Sequence, residues 1–273
     1  MKNNLLKNKL SADFKKGYQK LKLVNVKNIY VTSNLTAISN LRLPKKNKLK
    51  ITLDTLKKVM GKNYTIFSPS ASFNLCNTKL IFDPKNTPSH QMGPLAEFIR
   101  TQKSSTRSLH PFWSISAIGK NAKILNNVSK HAYAYGSPWS SMLDLNTTQL
   151  NLGIHPSRAV TLVHHIETLC GVPYRFNKKF NCKIILKKKI TEEDFYMSVF
   201  FKNRMIKKRI KLNEHFFKKM EKQKKLNYYK NYFGLDMWSF KMKDFFNIAL
   251  EYFASDIFTY LETKPDLSFH KKL

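Results

Sequence analysis

Within the run Thr161-Leu162-Val163-His164-His165-Ile166-Glu167, a histidine and a glutamate stand three positions apart. On a helix that spacing places His164 and Glu167 on nearly one face, where the carboxylate can accept an imidazole N–H and hold the ring in one tautomer. A base oriented in this way takes a proton from an amine or hydroxyl attacking a carbonyl, a contribution of roughly 100- to 10,000-fold to rate. His165 falls about a third of a turn away and is the poorer partner for Glu167. Taken alone, the pair also reads as a structural ion pair. It equally resembles half of a metal site, but no second His/Glu cluster at ligand spacing completes one, so no metal is expected.

Two further stretches carry chemical groups. Arg107-Ser108-Leu109-His110-Pro111, with Ser114 following, gathers a guanidinium, hydroxyls and an imidazole in a loop ending at proline. Such a loop grips a phosphate or a polar substrate, or is simply a polar connection. Tyr135-Gly136-Ser137-Pro138-Trp139 is a turn that either shapes a pocket wall or reverses the chain. Cys170 lies one turn beyond Glu167, but nothing marks it as a nucleophile, and a buried thiol is the expected role.

The elements that must position these groups alternate along the chain. Residues 1 to about 25 read as a polar leader with a short helix. Asn28-Ile29-Tyr30-Val31-Thr32-Ser33 is a β-branched and aromatic run of strand type. Thr52 precedes an apolar helical pattern at Leu53, Leu56, Val59 and Met60, with Gly61 behind it. A second strand is expected at Tyr64 to Phe67, a helix through Met92, Leu95, Ala96 and Ile99, and another over Lys120 to Val128. Leu150 to Ile154 reads as a strand, and Thr161 to Leu169 as the helix or tight turn after it. Beyond residue 177, strands are expected at Lys183 to Leu186 and Phe195 to Phe201, followed by mostly helical patterns, including a stripe of Phe245, Ala249, Tyr252, Phe253 and Tyr260. Strands alternating with helices predict an α/β layered sheet.

Composition bounds the partners. The chain has 273 residues, 42% of them hydrophobic, which excludes a disordered protein. Cys76, Cys170 and Cys182 form no CxxC pair, and an odd count fits thiols in a reducing compartment. With no run of about 18 apolar residues and no signal-peptide pattern, the expectation is a cytoplasmic protein. Lys and Arg number 49 against 17 Asp and Glu, a formal charge of +32. That field attracts anions such as coenzymes, nucleic acid or acidic lipid, unless much of it is Lys/Asn codon bias. From Lys178 to Lys230 there are 18 Lys and Arg against five acidic residues, with Tyr228, Tyr229, Tyr232 and Phe233 among them. Those aromatics read as a base-stacking platform or as a helix core.

Taken in order, the pieces resemble one family. They are Asp83-Pro84 through Thr87-Pro88-Ser89, then Met92-Gly93-Pro94-Leu95-Ala96-Glu97-Phe98-Ile99-Arg100, then Arg107-Ser108-x-His110-Pro111, then Gly136-Ser137-Pro138 and Leu152-Gly153. Thr161-x-x-His164-x-x-Glu167 and Val172-Pro173-Tyr174-Arg175 complete the series. Over roughly residues 28 to 177 this order is similar to the aminoglycoside 3-N-acetyltransferase family. The resemblance implies a three-layer α/β/α sandwich, here with a basic, largely helical C-terminal part (178–273) in one domain spanning 1–273. It implies acetyl-coenzyme A as donor and direct transfer to an amine. On it, His164 matches the general base and Glu167 its orienting carboxylate, with Thr161 in the same pocket. Ser33, Asn34 and Leu35 fall where the family has a loop near the thioester, although Thr32 replaces its histidine and Asn34 its second serine. Arg107 and Ser108 would border the cofactor, and His110 the acceptor.

The charge then bears on the acceptor. Aminoglycosides are polycations, which a chain at +32 repels unless its cleft is locally acidic. The expectation is therefore an amino sugar on a nucleotide-linked or lipid-phosphate-linked carrier of surface polysaccharide synthesis, with an aminoglycoside as the alternative acceptor. Peripheral contact with an anionic membrane fits the same field. A basic nucleic-acid-binding protein is the reading from another class. A family member that binds without reacting is a third, which the Thr32 and Asn34 departures leave open.

Overall fold

The computed structural model describes residues 2–76, 78–201 and 213–265. Strand β1 (Asn28–Ser33) lies at the centre of a mixed seven-stranded sheet. β2 (Thr65–Pro69) and β5 (Thr148–Leu152) flank it in parallel. Beyond β2 come the antiparallel β4 (Ile115–Gly119) and the two-residue β3 (Thr106–Arg107). Beyond β5 come β9 (Asp236–Lys241) and β8 (Asn227–Lys230), also antiparallel.

Successive side chains of a strand face opposite sides of its sheet. Ile29 and Val31 therefore enter one apolar cluster while Tyr30 enters the other. The first cluster is covered by α1 (Lys2–Lys20), α2 (Lys45–Met60) and α3 (Pro94–Arg100). The second is covered by α4 (Pro138–Asp144), α5 (Leu162–Leu169), α6 (Glu214–Lys222) and α7 (Met242–Ser255). This is the expected three-layer α/β/α arrangement.

Several expectations are corrected. The polar leader is a 19-residue helix whose Leu10, Phe14 and Tyr18 are fully buried, each worth roughly 1.5–3 kcal/mol of burial. Their i, i+4, i+8 spacing is an apolar stripe diluted by lysines and asparagines. Helix α2 begins seven residues before Thr52, and Thr52 is no cap: it is buried mid-helix, with its hydroxyl donating to Lys48 O at 2.9 Å. The Lys120–Val128 segment forms a 3₁₀ turn, Ala122–Asn127, rather than an α-helix.

The C-terminal part is not largely helical. It opens with a hairpin of β6 (Arg175–Leu186) and β7 (Lys189–Phe200), paired along twelve residues each, and supplies two strands of the main sheet as well as α6 and α7. Tyr228 and Tyr229 lie on β8, where a period of two turns Tyr229 to the core and leaves Tyr228 exposed, so these aromatics do not line a helix. Residues 202–212 of the lysine-rich stretch lie outside the described residues, as do 266–273. The α7 stripe stops before Tyr260, which follows the helix end. Among the described residues, no helix is long and apolar enough to cross a membrane.

Candidate active site

Leu162, Val163 and Ile166 pin α5 into the core on its buried side, and that fixes where its polar residues go. His165 is buried, and its Nδ1 donates to Tyr133 O at 2.5 Å. Burial lowers its pKa, so the ring is a neutral tie between α5 and the loop before α4. His164 instead sits at the edge of the core, with 22% of its side chain exposed, while Glu167 below it is completely buried. The two side chains meet: His164 Nδ1 lies 2.6 Å from Glu167 Oε2.

Glu167 is saturated with donors. Tyr174 donates its hydroxyl to Oε1 at 2.9 Å, and Arg175 Nη2 lies 2.8 Å from Oε2. Burial alone would push this carboxyl up. The hydrogen bond and charge of His164, with the charge of Arg175, outweigh it and hold the pKa below the ordinary range. An ionised carboxylate only accepts, so Nδ1 carries the proton and the imidazole lone pair is left on Nε2. Arg175 Nη2 also lies 3.0 Å from Nδ1, but two donors cannot bond each other, and the carboxylate takes the guanidinium proton. Arg175 is anchored in turn by Ser198 O, at 3.1 Å from Nη1, and by the ring of Phe200, 3.9 Å below the guanidinium. Tyr133 and Tyr260 flank the imidazole edge-on at 5.4 and 5.8 Å between ring centroids.

A cleft of about 780 Å³ opens at the carboxyl ends of the parallel strands β1 and β5; Thr161, one turn before His164, lines it, whereas His164 and Glu167 are not among its lining residues. Its walls include the loop after β1, the start of α2, Gln91 to Pro94, and the chain entering α5. Ser33, Asn34, Leu35 and Thr161 all line it. Two glycines let the walls approach. Gly153, at φ +69°, sits where a Cβ would come within 1.9 Å of Asn34 O, and Gly93, at φ +86°, packs against Ser33 O. The Ser33 hydroxyl has no partner among the described residues and is available to a ligand. Asn34 is less so: its Oδ1 accepts from the Thr36 amide and hydroxyl, at 3.2 and 2.6 Å. Thr161 reaches His164 directly, its carbonyl accepting the His164 N–H at 3.0 Å.

Arg107, Ser108 and His110 are not brought to the cleft; they brace the loop beside it. Arg107 is buried and donates to Ser114 Oγ at 2.8 Å, to Ser72 Oγ at 2.9 Å, and to the carbonyls of Thr87 and Ser70. Ser108 closes the base of the loop, exchanging backbone and side-chain bonds with Ile115. His110 accepts the Trp113 amide at Nδ1, 3.2 Å, and its Nε2 donates to Tyr196 O at 3.1 Å. Burial, with the nearby His131, holds its pKa down at about 4, so it is neutral and structural. Tyr135 to Trp139 reverses the chain into α4 and packs Trp139 against Tyr30. Burial and the Glu167 charge raise the Cys170 thiol, which disfavours a thiolate nucleophile. The described residues contain no group of three or more metal-ligating side chains.

Sequence reasoning gave no role to Tyr174, Arg175, Tyr133, Tyr260 or Trp113. Tyr174 and Arg175 come seven and eight residues after Glu167, across a helix end, and no fixed periodicity joins positions separated in that way. Their place in the motif series was the one available signal.

A family model described as aminoglycoside 3-N-acetyltransferase matches residues 31–254. The chain belongs to that family. The match extends well past residue 177, so the hairpin and most of the C-terminal elements are part of the family's own architecture. Aminoglycoside N(3)-acetyltransferase III of Pseudomonas aeruginosa is 31% identical over 120 residues, 42% of this chain and 44% of that protein, so the matched region spans less than half of the relative's length. Among solved structures, aminoglycoside acetyltransferase AAC(3)-Xa superposes with a TM-score of 0.74 at 18% identity, covering 89% of this chain and 92% of the other. AAC-IIIb in a binary complex with CoASH gives 0.74 at 17%, covering 95% and 98%. YokD of Bacillus subtilis gives 0.72 at 19%, covering 90% and 99%. At these identities the structural likenesses establish the fold.

Proposed function

We propose that the protein transfers the acetyl group of acetyl-coenzyme A to an amine of an aminoglycoside, with His164 as general base. The observation that carries this is the 2.6 Å contact between a partly exposed imidazole and a buried, ionised carboxylate, one helical turn beyond Thr161 in the cleft wall. Family membership, the name of the curated relative and the CoASH-bound structural neighbour support the same donor and acceptor.

The chemistry follows from the tautomer. The acceptor nitrogen bonds to the thioester carbonyl carbon while Nε2 of His164 takes its proton. Glu167 stabilises the resulting imidazolium. On this reading the Ser33 hydroxyl, which lines the cleft with Asn34 and Leu35, donates to the carbonyl oxygen as it gains charge. The carbon–sulfur bond then breaks, and the imidazolium returns the proton to the departing sulfur, giving an amide and free coenzyme A thiol. No covalent enzyme intermediate is needed.

A second acceptor class rests on a specific observation. The charged residues lining the cleft are Lys45, Lys48 and Arg158, and none of its lining residues is acidic. The carboxylate beneath it, Glu167, has its donors already. An ammonium group entering there finds no counter-ion, which favours an amino sugar that carries anionic groups over a polycation. Thiol release from acetyl-coenzyme A across free aminoglycosides and nucleotide-linked amino sugars separates the two. Turnover confined to aminoglycosides rejects the anionic acceptor, turnover confined to the nucleotide-linked sugars rejects the aminoglycoside, and no release with either rejects the transferase reading.

A further inference from the structure

We propose that Trp113 is the gauge that restricts the transferred acyl group to a short chain. The inference rests on the acetyltransferase reading and names a determinant within the same cleft. Trp113 lines the cleft at the end nearest the base: its ring lies 6.0 Å from Tyr133, whose ring lies 5.4 Å from His164. Thr161, one helical turn before His164, lines the same cleft. A thioester carbonyl placed for attack by an amine beside His164 must point its acyl chain away from the sulfur, toward the Trp113 wall. The cofactor's long arm then runs along the wall that carries Lys45 and Lys48.

A gauge must not yield, and Trp113 is held by a ring on each of two sides and by its backbone. Phe73 packs against one side of the indole with 4.7 Å between centroids, and Tyr133 meets it edge-on. The Trp113 amide donates to His110 Nδ1, and His110 is clamped in turn by Tyr196 O. Arg107 and Ser108 fix the following residues, Ser114 and Ile115. His165 fixes Tyr133 from behind. The Arg-Ser-x-His-Pro motif thus acts at a distance: it supports the loop that carries the indole. Additional methylenes on the acyl chain would have to displace a half-buried ring set between Phe73 and Tyr133, and packed contacts resist even one methylene.

The indole N–H is buried and has no hydrogen-bond partner among the described residues, so Trp113→Phe removes no bond seen there and serves as the conservative control. The experiment measures kcat/KM by thiol release with acetyl-, propionyl-, butyryl- and hexanoyl-coenzyme A for wild type, Trp113→Phe, Trp113→Leu and Trp113→Ala. Equilibrium binding of the same acyl-coenzymes A is measured by calorimetry. Wild type is expected to lose at least about tenfold in kcat/KM between acetyl and butyryl. Trp113→Ala should raise the butyryl-to-acetyl ratio at least about tenfold, Trp113→Leu by less, and Trp113→Phe by under about threefold. A folded Trp113→Ala or Trp113→Leu protein with an unchanged ratio in turnover and binding overturns the proposal, as does a change confined to the KM of the acceptor. Should wild type release no thiol with any donor, the transferase reading has failed, and the binding ratios still decide whether Trp113 sets chain length.

Discussion

Replacing Glu167 with glutamine tests how the buried carboxylate governs His164. The amide is isosteric, so the change is one of charge and donor pattern. In the wild type, Oε2 accepts from His164 at 2.6 Å and from Arg175 at 2.8 Å, while Oε1 accepts from Tyr174 at 2.9 Å. The two donors crowding Oε2 force the amide oxygen of Gln to that side. Its NH₂ then faces Tyr174, whose hydroxyl rotates to accept. The tautomer of His164 is therefore kept, and what disappears is the charge that steadies the imidazolium. A charge-assisted hydrogen bond exceeds a neutral one by about 1–2 kcal/mol, which is about 5- to 30-fold in kcat/KM. Arg175 is left as a buried cation without its counter-ion, a loss of about 3–5 kcal/mol, or roughly 6 to 20 °C in melting temperature. Steady-state thiol-release kinetics at a temperature where the variant is folded, together with calorimetric melting, measure both. Activity within twofold of wild type would refute the coupling. A loss equal to that of removing the imidazole would refute the orientation argument, since only a flipped amide inverts the tautomer.

His164→Ala should lower kcat by about 100- to 10,000-fold while acetyl-coenzyme A still binds, as read by calorimetry; unchanged turnover removes His164 from the mechanism. Arg107→Met removes a buried guanidinium that holds four acceptors from three separate segments. It should cost about 3–5 kcal/mol in denaturant unfolding, and an unchanged midpoint with a raised KM for acetyl-coenzyme A would return Arg107 to the cofactor site. His110 has a folded pKa of about 4, below the ordinary histidine value, so the unfolded chain binds the extra proton first. Stability should therefore fall as pH drops from about 6.5 to about 4, and His110→Asn should flatten that slope in pH-dependent melting; an unaltered slope would place the titration elsewhere.

Much of this site could be read from residue spacing. His164 and Glu167 are three apart on a helix whose apolar neighbours fix its rotation, so their contact follows from helical geometry alone. The loop after β1 was equally readable, because a β-branched strand ending in small polar residues delivers its tip to the sheet edge. Arg107, Ser108 and His110 were legible as a cluster but not in their direction. A guanidinium that touches four acceptors within the protein and one that touches a ligand's phosphate have the same sequence, and only the depth of the loop separates them. β8 and β9 were missed for a different reason: the pairing of β9 with β5, which ties both into the sheet, spans about 90 residues, and Tyr228 to Phe233 has no alternation long enough to outweigh its helical appearance.

The base also depends on a part of the chain that the motif series did not reach. Arg175, 2.8 Å from Oε2, joins His164 in keeping the buried Glu167 ionised, and Arg175 is held in turn by Ser198 O and the ring of Phe200. Both lie on β7, whose pairing with β6 runs from Arg175↔Phe200 outward. The hairpin therefore serves as the far brace of the His164–Glu167 pair, through its first residue pair. On the other side, Tyr260 reaches the imidazole only because α7 packs against α5 and the chain turns back after Ser255. A boundary near residue 177 would cut Arg175 off from Ser198 and Phe200, the groups that hold it. The physical unit that holds His164 against Glu167 runs from α5 through the hairpin to the turn beyond α7, and the family match, which continues to residue 254, takes in all of it except that turn.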